Sequence, residues 1–149
     1  MNYYAVLDTN VLVSAMLHNT SVPGKVAAEA LNGRIIPLYN DEILAEYNDV
    51  LARPKFRFDR SEVRLVIDTI IKRGIPVDAG PIEDILPDPK DVVFYAVTME
   101  KKKTEDAYLV TGNVKHFPSV PFVLTPREML EILRDVPAQP LEYDFNDEE

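Results

Sequence analysis

The chain has 149 residues and no cysteine, so it is long enough for one domain with a two-sided core but forms neither disulfides nor a thiolate zinc site. With only two histidines, any metal site must be built mainly from oxygen, which favours Mg²⁺ or Mn²⁺. The sequence shows no signal-peptide pattern and no apolar run of membrane-spanning length, which predicts a cytoplasmic protein without membrane contact.

The formal net charge of −9 disfavours nucleic acid as a partner, since such binding depends on basic side chains meeting phosphates. The acids are unevenly spread, however, and five of them fall in the last eight residues: Glu142, Asp144, Asp147, Glu148 and Glu149. The rest of the chain carries −4, and bound divalent cations would neutralise part of that. We therefore predict a folded domain over residues 1–134 and an acidic, flexible tail over 135–149.

Residues 3–7 form a continuously apolar run, which predicts a strand covered on both faces in a parallel α/β sheet. Asp8, Thr9 and Asn10 follow it, before a short helix that extends to about residue 17. Open α/β sheets bind ligands just past the carboxyl ends of their strands, so Asp8 is a candidate site residue. The alternative is that Asp8 or Thr9 only caps the helix.

A loop over 18–24, a helix over 25–32 closed by Gly33, and a strand over 34–39 come next. Pro37 indicates that this strand is irregular or lies toward an edge of the sheet. The following helix, over 41–52, has Glu46 beside its apolar stripe. A carboxylate there is either paired with something or extends outward to water.

Four cations and two phenylalanines alternate in the one basic segment, which contains Arg53, Lys55, Phe56, Arg57, Phe58 and Arg60. Such a segment can hold phosphates and stack bases, so Arg53, Lys55 and Arg57 are candidate RNA contacts. The commoner case is a solvated loop whose phenylalanines pack back onto the core. A helix over 61–73 follows, with Ile71 among its predicted inward residues.

Asp88 and Pro89 predict a helix start, with Asp91 at the third position and an apolar, buried helix from residue 92 to 99. For Asp88 we favour a capping role. The run 107–111 predicts a second buried strand, which ends in Thr111, Gly112 and Asn113 and so repeats the pattern of the first strand. A strand near 122–124 and a helix introduced by residue 125 complete the domain.

Four segments of this pattern together resemble the PIN-domain family, and within it the VapC-like ribonucleases that are toxins of toxin–antitoxin pairs. The resemblance covers roughly residues 4–133. The four segments are Val6 to Val11, Glu46 with Val50 to Phe56, Asp88 to Phe94, and Leu109 to Pro118.

The resemblance implies a three-layer α/β/α fold with a central parallel sheet. It also implies that Asp8, Glu46 and Asp91 are the acids that hold Mg²⁺ or Mn²⁺. Thr9, Asn10 and Thr111 would support them. Asn113 stands where many relatives have a fourth acid, and we include it as a catalytic residue that positions water or phosphate.

The activity implied by the resemblance is metal-dependent hydrolysis of RNA phosphodiester bonds, with an antitoxin protein and a second copy of the chain as further partners. One alternative is a non-catalytic PIN-like module that binds RNA or protein, which the acidic charge and Asn113 favour and the three acids oppose. An aspartyl-nucleophile enzyme of the haloacid-dehalogenase type is disfavoured, because Asn10 replaces the second Asp that it needs.

Overall fold

The apolar run after the amino terminus forms β1 (Tyr3–Leu7), the central strand of a five-stranded parallel sheet. The computed structural model describes residues 3–134, and the predicted acidic tail over 135–149 lies outside that range. Ala5, Val6 and Leu7 are buried, as expected for a strand covered on both faces. The predicted three-layer α/β/α architecture is confirmed.

The strand order is β3-β2-β1-β4-β5, and every pair is parallel. The other strands are β2 (Ile35–Tyr39), β3 (Ile75–Pro76), β4 (Ala107–Val110) and β5 (Val123–Leu124). The chain adds β2 and β3 on one side of β1 and then returns to add β4 and β5 on the other side of β1. The carboxyl ends of β1 and β4 therefore form the switch point at which such sheets bind ligands.

Residues 3–134 contain six α-helices: α1 (Thr9–Leu17), α2 (Val22–Asn32), α3 (Asp41–Leu51), α4 (Arg60–Arg73), α5 (Val92–Lys102) and α6 (Pro126–Leu133). The prediction that 18–24 is entirely loop was wrong at its end, because α2 begins at Val22. The Ser21 hydroxyl accepts the Gly24 N–H, and a proline occupies the first turn, so the helix is capped earlier than its apolar pattern suggests. Gly33 ends α2 with φ 95°, as predicted.

The structure corrects the interpretation of Pro37 as a sign of an edge or irregular strand. β2 lies second from the edge and pairs on both sides. The pairing of β2 with β3 begins only at Leu38, one residue after the proline. Pro37, which lacks an N–H, therefore faces no β3 residue to which it would have to donate a hydrogen bond. Local strand propensity does not reveal this offset between neighbouring strands.

Packing confirms the buried helix predicted before β4, since all residues from Val93 to Thr98 of α5 are buried. Ile71 on α4 was predicted to face the core but is 43% exposed. Among the described residues, no helix combines the length and apolarity needed to cross a membrane.

Candidate functional site

Asp8 lies at the carboxyl end of β1 with its side chain almost fully buried. It caps α1, because Oδ1 accepts the Thr9 N–H at 2.8 Å. Oδ2 accepts from Asn10 Nδ2 at 3.1 Å and from Thr111 Oγ1 at 2.8 Å. Three donors thus fix both oxygens of one carboxylate, so the capping role and the site role are compatible.

Thr111 joins the ends of the two central strands. It is fully buried directly after β4, and its Oγ1 also accepts the Asn113 N–H at 2.9 Å. Asn10 Oδ1 accepts the Gly112 N–H at 3.0 Å, which adds a second link between the same two turns. Asn113 therefore contributes its backbone to the network, whereas its side chain is exposed and forms no hydrogen bond within residues 3–134.

Asp91 stands at the end of a 3₁₀ turn over Pro89–Asp91, immediately before α5. Asp88 caps this turn by accepting the Lys90 N–H at 2.9 Å, so its predicted capping role is confirmed for the turn that leads into α5. The Asp91 side chain is only 15% exposed, and its Oδ2 is buried, with His116 Nδ1 at 3.4 Å as its basic neighbour and no donor in hydrogen-bond geometry. A largely buried carboxylate oxygen whose neighbour is only a half-exposed imidazole favours a further cationic or polar partner.

Burial and charge repulsion act together on the two acids. Burial is the largest cause that raises the pKa of Asp91 to about 6, followed by the negative charges of Asp8 and Asp88. Burial also raises the pKa of Asp8, which its three hydrogen bonds partly offset. The structure thus brings Asp8 and Asp91 close enough to repel each other, and a cation between them would relieve that repulsion.

His116 belongs to this site although we did not predict a role for it. It lies in a 3₁₀ turn over Val114–His116, and its Nδ1 is 3.4 Å from Asp91 Oδ2. Its positive charge lowers the pKa of both acids, although the side chain is about half exposed. No periodic pattern indicated this role; the available clue was its position three residues after Asn113, in the turn that follows β4.

We expect His116→Ala to shift the titration midpoint of the Asp91 carboxyl upward from about 6, because the neighbouring imidazolium no longer favours the ionised form. Carboxyl-detected NMR titration in chelator would measure the shift. His18→Ala, which removes the other histidine, is the matched control. An unchanged midpoint in His116→Ala would show that the imidazole does not act on Asp91.

Glu46 lies on α3 with a half-buried side chain and, within residues 3–134, forms no hydrogen bond or ion pair. It is not among the causes of the pKa shifts of Asp8 and Asp91. The contact from α3 to the site comes instead from the next residue, Tyr47, whose buried hydroxyl donates to the Leu7 carbonyl directly before Asp8. Helical spacing places Tyr47 in the apolar stripe of α3, which does not indicate this hydrogen bond.

The basic segment that follows α3 is exposed and makes no contact with the two buried acids. Phe56 and Phe58 stack with ring centroids 5.3 Å apart, and Phe58 packs against the core, as the loop interpretation predicted. Lys55 Nζ lies 5.1 Å from the Phe56 ring centroid, and Arg53 pairs with an aspartate one helical turn earlier. A role for this segment in RNA binding stays a prediction.

A metal site can be tested against these contacts. In the part of the chain that the structure describes, no group of three or more histidine, aspartate or glutamate side chains is arranged to hold a metal ion. Two carboxylates nevertheless fit Mg²⁺, which commonly takes one or two protein carboxylates and completes its shell with water and substrate phosphate. The buried Asp91 Oδ2, which has no donor in hydrogen-bond geometry, supports this fit, while direct or water-mediated ligation by Glu46 stays a prediction.

Comparison with known proteins gives one family. No curated protein matches the chain. A family model described as PIN domain matches residues 4–115, a range that contains both buried acids, Glu46, Thr111 and Asn113. This match extends over well more than half of the sequence, and its members are generally nucleases. The chain therefore belongs to the PIN-domain family.

Proposed function

We propose that the protein is a metal-dependent endoribonuclease that hydrolyses phosphodiester bonds of single-stranded RNA. The observation that carries the proposal is the pair of mutually repelling carboxylates, Asp8 and Asp91, of which Asp91 has a buried oxygen with only the half-exposed His116 as a basic neighbour. The pair lies near the switch point of the sheet, and members of the PIN-domain family are generally nucleases. Two clustered acids that a divalent cation would stabilise are suited to phosphodiester hydrolysis.

In this proposal Asp8 and Asp91 hold Mg²⁺ or Mn²⁺, with Glu46 as a further ligand either directly or through water. The bound ion would lower the pKa of a water molecule and neutralise charge on the phosphate. Thr9, Asn10 and Thr111 keep the Asp8 oxygens in one orientation through their hydrogen bonds. The exposed Asn113 side chain is free to position water or a phosphate oxygen.

The test is incubation of end-labelled single-stranded RNA with the purified chain, in Mn²⁺ and in chelator. We expect cleavage only with the ion, and loss of cleavage in folded Asp8→Asn protein. Asp78→Asn, which neutralises an exposed acid in a loop, is the control for the charge change and should remain active. Full cleavage in chelator would contradict the proposed mechanism.

We further propose that the chain is the toxin of a toxin–antitoxin pair, with an antitoxin protein and a second copy of itself as partners. The support is the resemblance of its four segments to such toxins. Induced expression should then arrest growth of a bacterial host, and the Asp8→Asn variant should not. Equal growth with both chains, at equal expression, would oppose the toxin role without bearing on hydrolysis in vitro.

A second candidate is a non-catalytic PIN-like module that binds RNA or protein. It is favoured by the lack, in the described range, of a preassembled group of three acids or histidines for a metal ion. The same incubation separates the two candidates. A module would retain labelled RNA without cutting it, and its affinity would not change in Asp8→Asn.

Replacing Arg53, Lys55 and Arg57 together with serine tests whether the basic segment contacts RNA. If it does, affinity should fall and the salt dependence of binding should flatten by about one unit of slope per lost phosphate contact. Filter binding of a labelled oligonucleotide over a series of salt concentrations gives the slope. Arg127→Ser on α6 is the single-charge control. An unaltered affinity and slope would assign the segment to a solvated loop.

A further inference from the structure

A cavity of about 640 Å³ lies between the end of α3, the basic segment and α4, apart from the site described above. Its floor is apolar and includes Leu51, Val63, Ile67 and Ile71. Ile71 is the residue that was predicted to face the core and is instead 43% exposed. The floor therefore offers apolar surface to a ligand, and its volume lies within the range of ordinary ligand pockets.

The rim of the cavity is cationic, although the chain as a whole carries −9. Arg53, Arg57, Arg60 and Arg64 line it together with a single acid, Asp68. Of the four arginines, only Arg53 forms an ion pair within residues 3–134, with Asp49 at 3.3 Å. Arg57 has φ 56°, a left-handed conformation that is unfavourable for a side chain with a Cβ. Three exposed arginines around an apolar floor favour an occupant with acidic and apolar groups in close alternation.

We propose that residues 141–147 of the same chain bind in this cavity. Leu141, Tyr143 and Phe145 alternate there with Glu142 and Asp144. In an extended segment, successive side chains point to opposite sides, so the apolar groups would meet the floor and the acids the arginine rim. The whole stretch 135–149 contains six acids and no Lys or Arg, which complements the charge of the rim.

The described end of the chain is close enough for this contact. The Leu133 carbonyl at the end of α6 accepts a hydrogen bond from Arg34. The neighbouring Gly33 lies against the Arg73 guanidinium at the end of α4, where a Cβ would be 3.1 Å from Nη1. The end of α6 and the side chain of Arg73 on α4 thus both lie against the 33–34 turn.

The chain from that point is also long enough. Seven residues, 135–141, extend by up to about 25 Å. The 14 residues of α4 rise by about 21 Å, so the segment has a length comparable to that of the helix beside which the cavity lies.

The experiment uses the full chain with Asn146→Cys, a unique attachment point because the natural sequence has no cysteine. A nitroxide at this position should broaden the backbone amide resonances of residues 63–71 in ¹⁵N-labelled protein, with loss of most of their intensity. Amides of β5, at the opposite edge of the sheet, should keep theirs. Uniform broadening, or none, would overturn the proposal.

Substitutions in the arginine rim and a mixture of two labelled proteins identify the occupant of the cavity. Arg57→Ser with Arg64→Ser should restore most of the lost intensity, and the matched control Arg127→Ser should not. In a second sample, spin-labelled ¹⁴N chains are mixed with ¹⁵N chains of the natural sequence, which carry no spin label, and no broadening should be seen. Broadening in this mixture would assign the cavity to the tail of a second copy and overturn the proposal. Shifts of the same amides on addition of single-stranded RNA, without broadening from the tail, would also overturn it.

Discussion

Asp91→Asn should abolish RNA hydrolysis and, in the same protein, raise the melting temperature at neutral pH. Activity should fall roughly 10²-fold or more, because one of the two carboxylates proposed to hold the ion is lost. Stability should rise because the amide removes a largely buried charge for which burial and the repulsion of Asp8 outweigh the attraction of His116. Steady-state cleavage and thermal denaturation in chelator measure the two effects.

The pH dependence of this stabilisation follows from the raised pKa of Asp91. The unfolded carboxyl ionises near its ordinary value of 3.8, whereas the folded one remains protonated up to about 6. Between these values the folded state holds the proton that the unfolded state has released, so wild-type stability declines as pH rises through this window. The advantage of Asp91→Asn should therefore be small below pH 4 and complete above pH 6.

Asp78→Asn is the matched control for this experiment. Asp78 is an exposed loop residue and does not contribute to the raised pKa of Asp91, so this variant should keep both activity and wild-type melting behaviour. Mn²⁺ should stabilise the wild type above pH 6 and leave Asp91→Asn unchanged, since a ligand stabilises only the state that binds it. A melting temperature of Asp91→Asn equal to that of wild type at every pH would contradict the electrostatic description of the site.

Thr111→Val should lower both stability and activity, although valine matches threonine closely in shape. The change removes a donor to Asp8 and leaves the partly buried N–H of Asn113 without its acceptor. Each unsatisfied group of this kind costs about 1–3 kcal/mol. Hydrolysis should fall because the Asp8 oxygens are no longer fixed, by about the 10–100-fold that is typical when a side chain orienting a metal ligand is lost.

Thr98→Val provides the comparison. Thr98 is equally buried, but its hydroxyl donates only to the Phe94 carbonyl one turn earlier in α5. Its replacement should have a much smaller effect on the free energy of unfolding and none on hydrolysis. Equal losses of stability in the two variants, with activity retained in Thr111→Val, would restrict the role of Thr111 to packing.

The elements that could be predicted from the sequence are those whose signals are local. These signals depend on residues close together in the sequence: the apolar run at β1, the cap at Asn40, and the capping box in which Thr125 and Glu128 accept each other's backbone N–H. The position of Pro37 could not be predicted in this way, because it depends on where β3 joins the sheet. The offset between neighbouring strands is set by tertiary packing, which the hydrophobic periodicity of the sequence does not indicate.

The site shows the same division. Asp8 was identified because it follows a buried strand at the carboxyl end of a parallel sheet, whereas Asp91 and Glu46 were assigned to the site by the resemblance to PIN domains. His116 and the hydroxyl of Tyr47 were missed, since their roles arise only when segments far apart in sequence pack together. The place of Glu46 beside an apolar stripe left its role open, because a helical position alone does not fix where a long, flexible carboxylate points.

The hydrogen bond from Thr111 to Asp8 joins residues 103 positions apart. Asp8 can cap α1 as soon as that helix forms, since the Thr9 N–H is adjacent to it, but Thr111 arrives only when β4 is added beside β1. Closing so long a loop is entropically costly and is among the slower steps of folding. A chain emerging from the ribosome thus has no assembled acid pair until most of the domain has been synthesised, so any hydrolytic activity begins only after translation has passed β4.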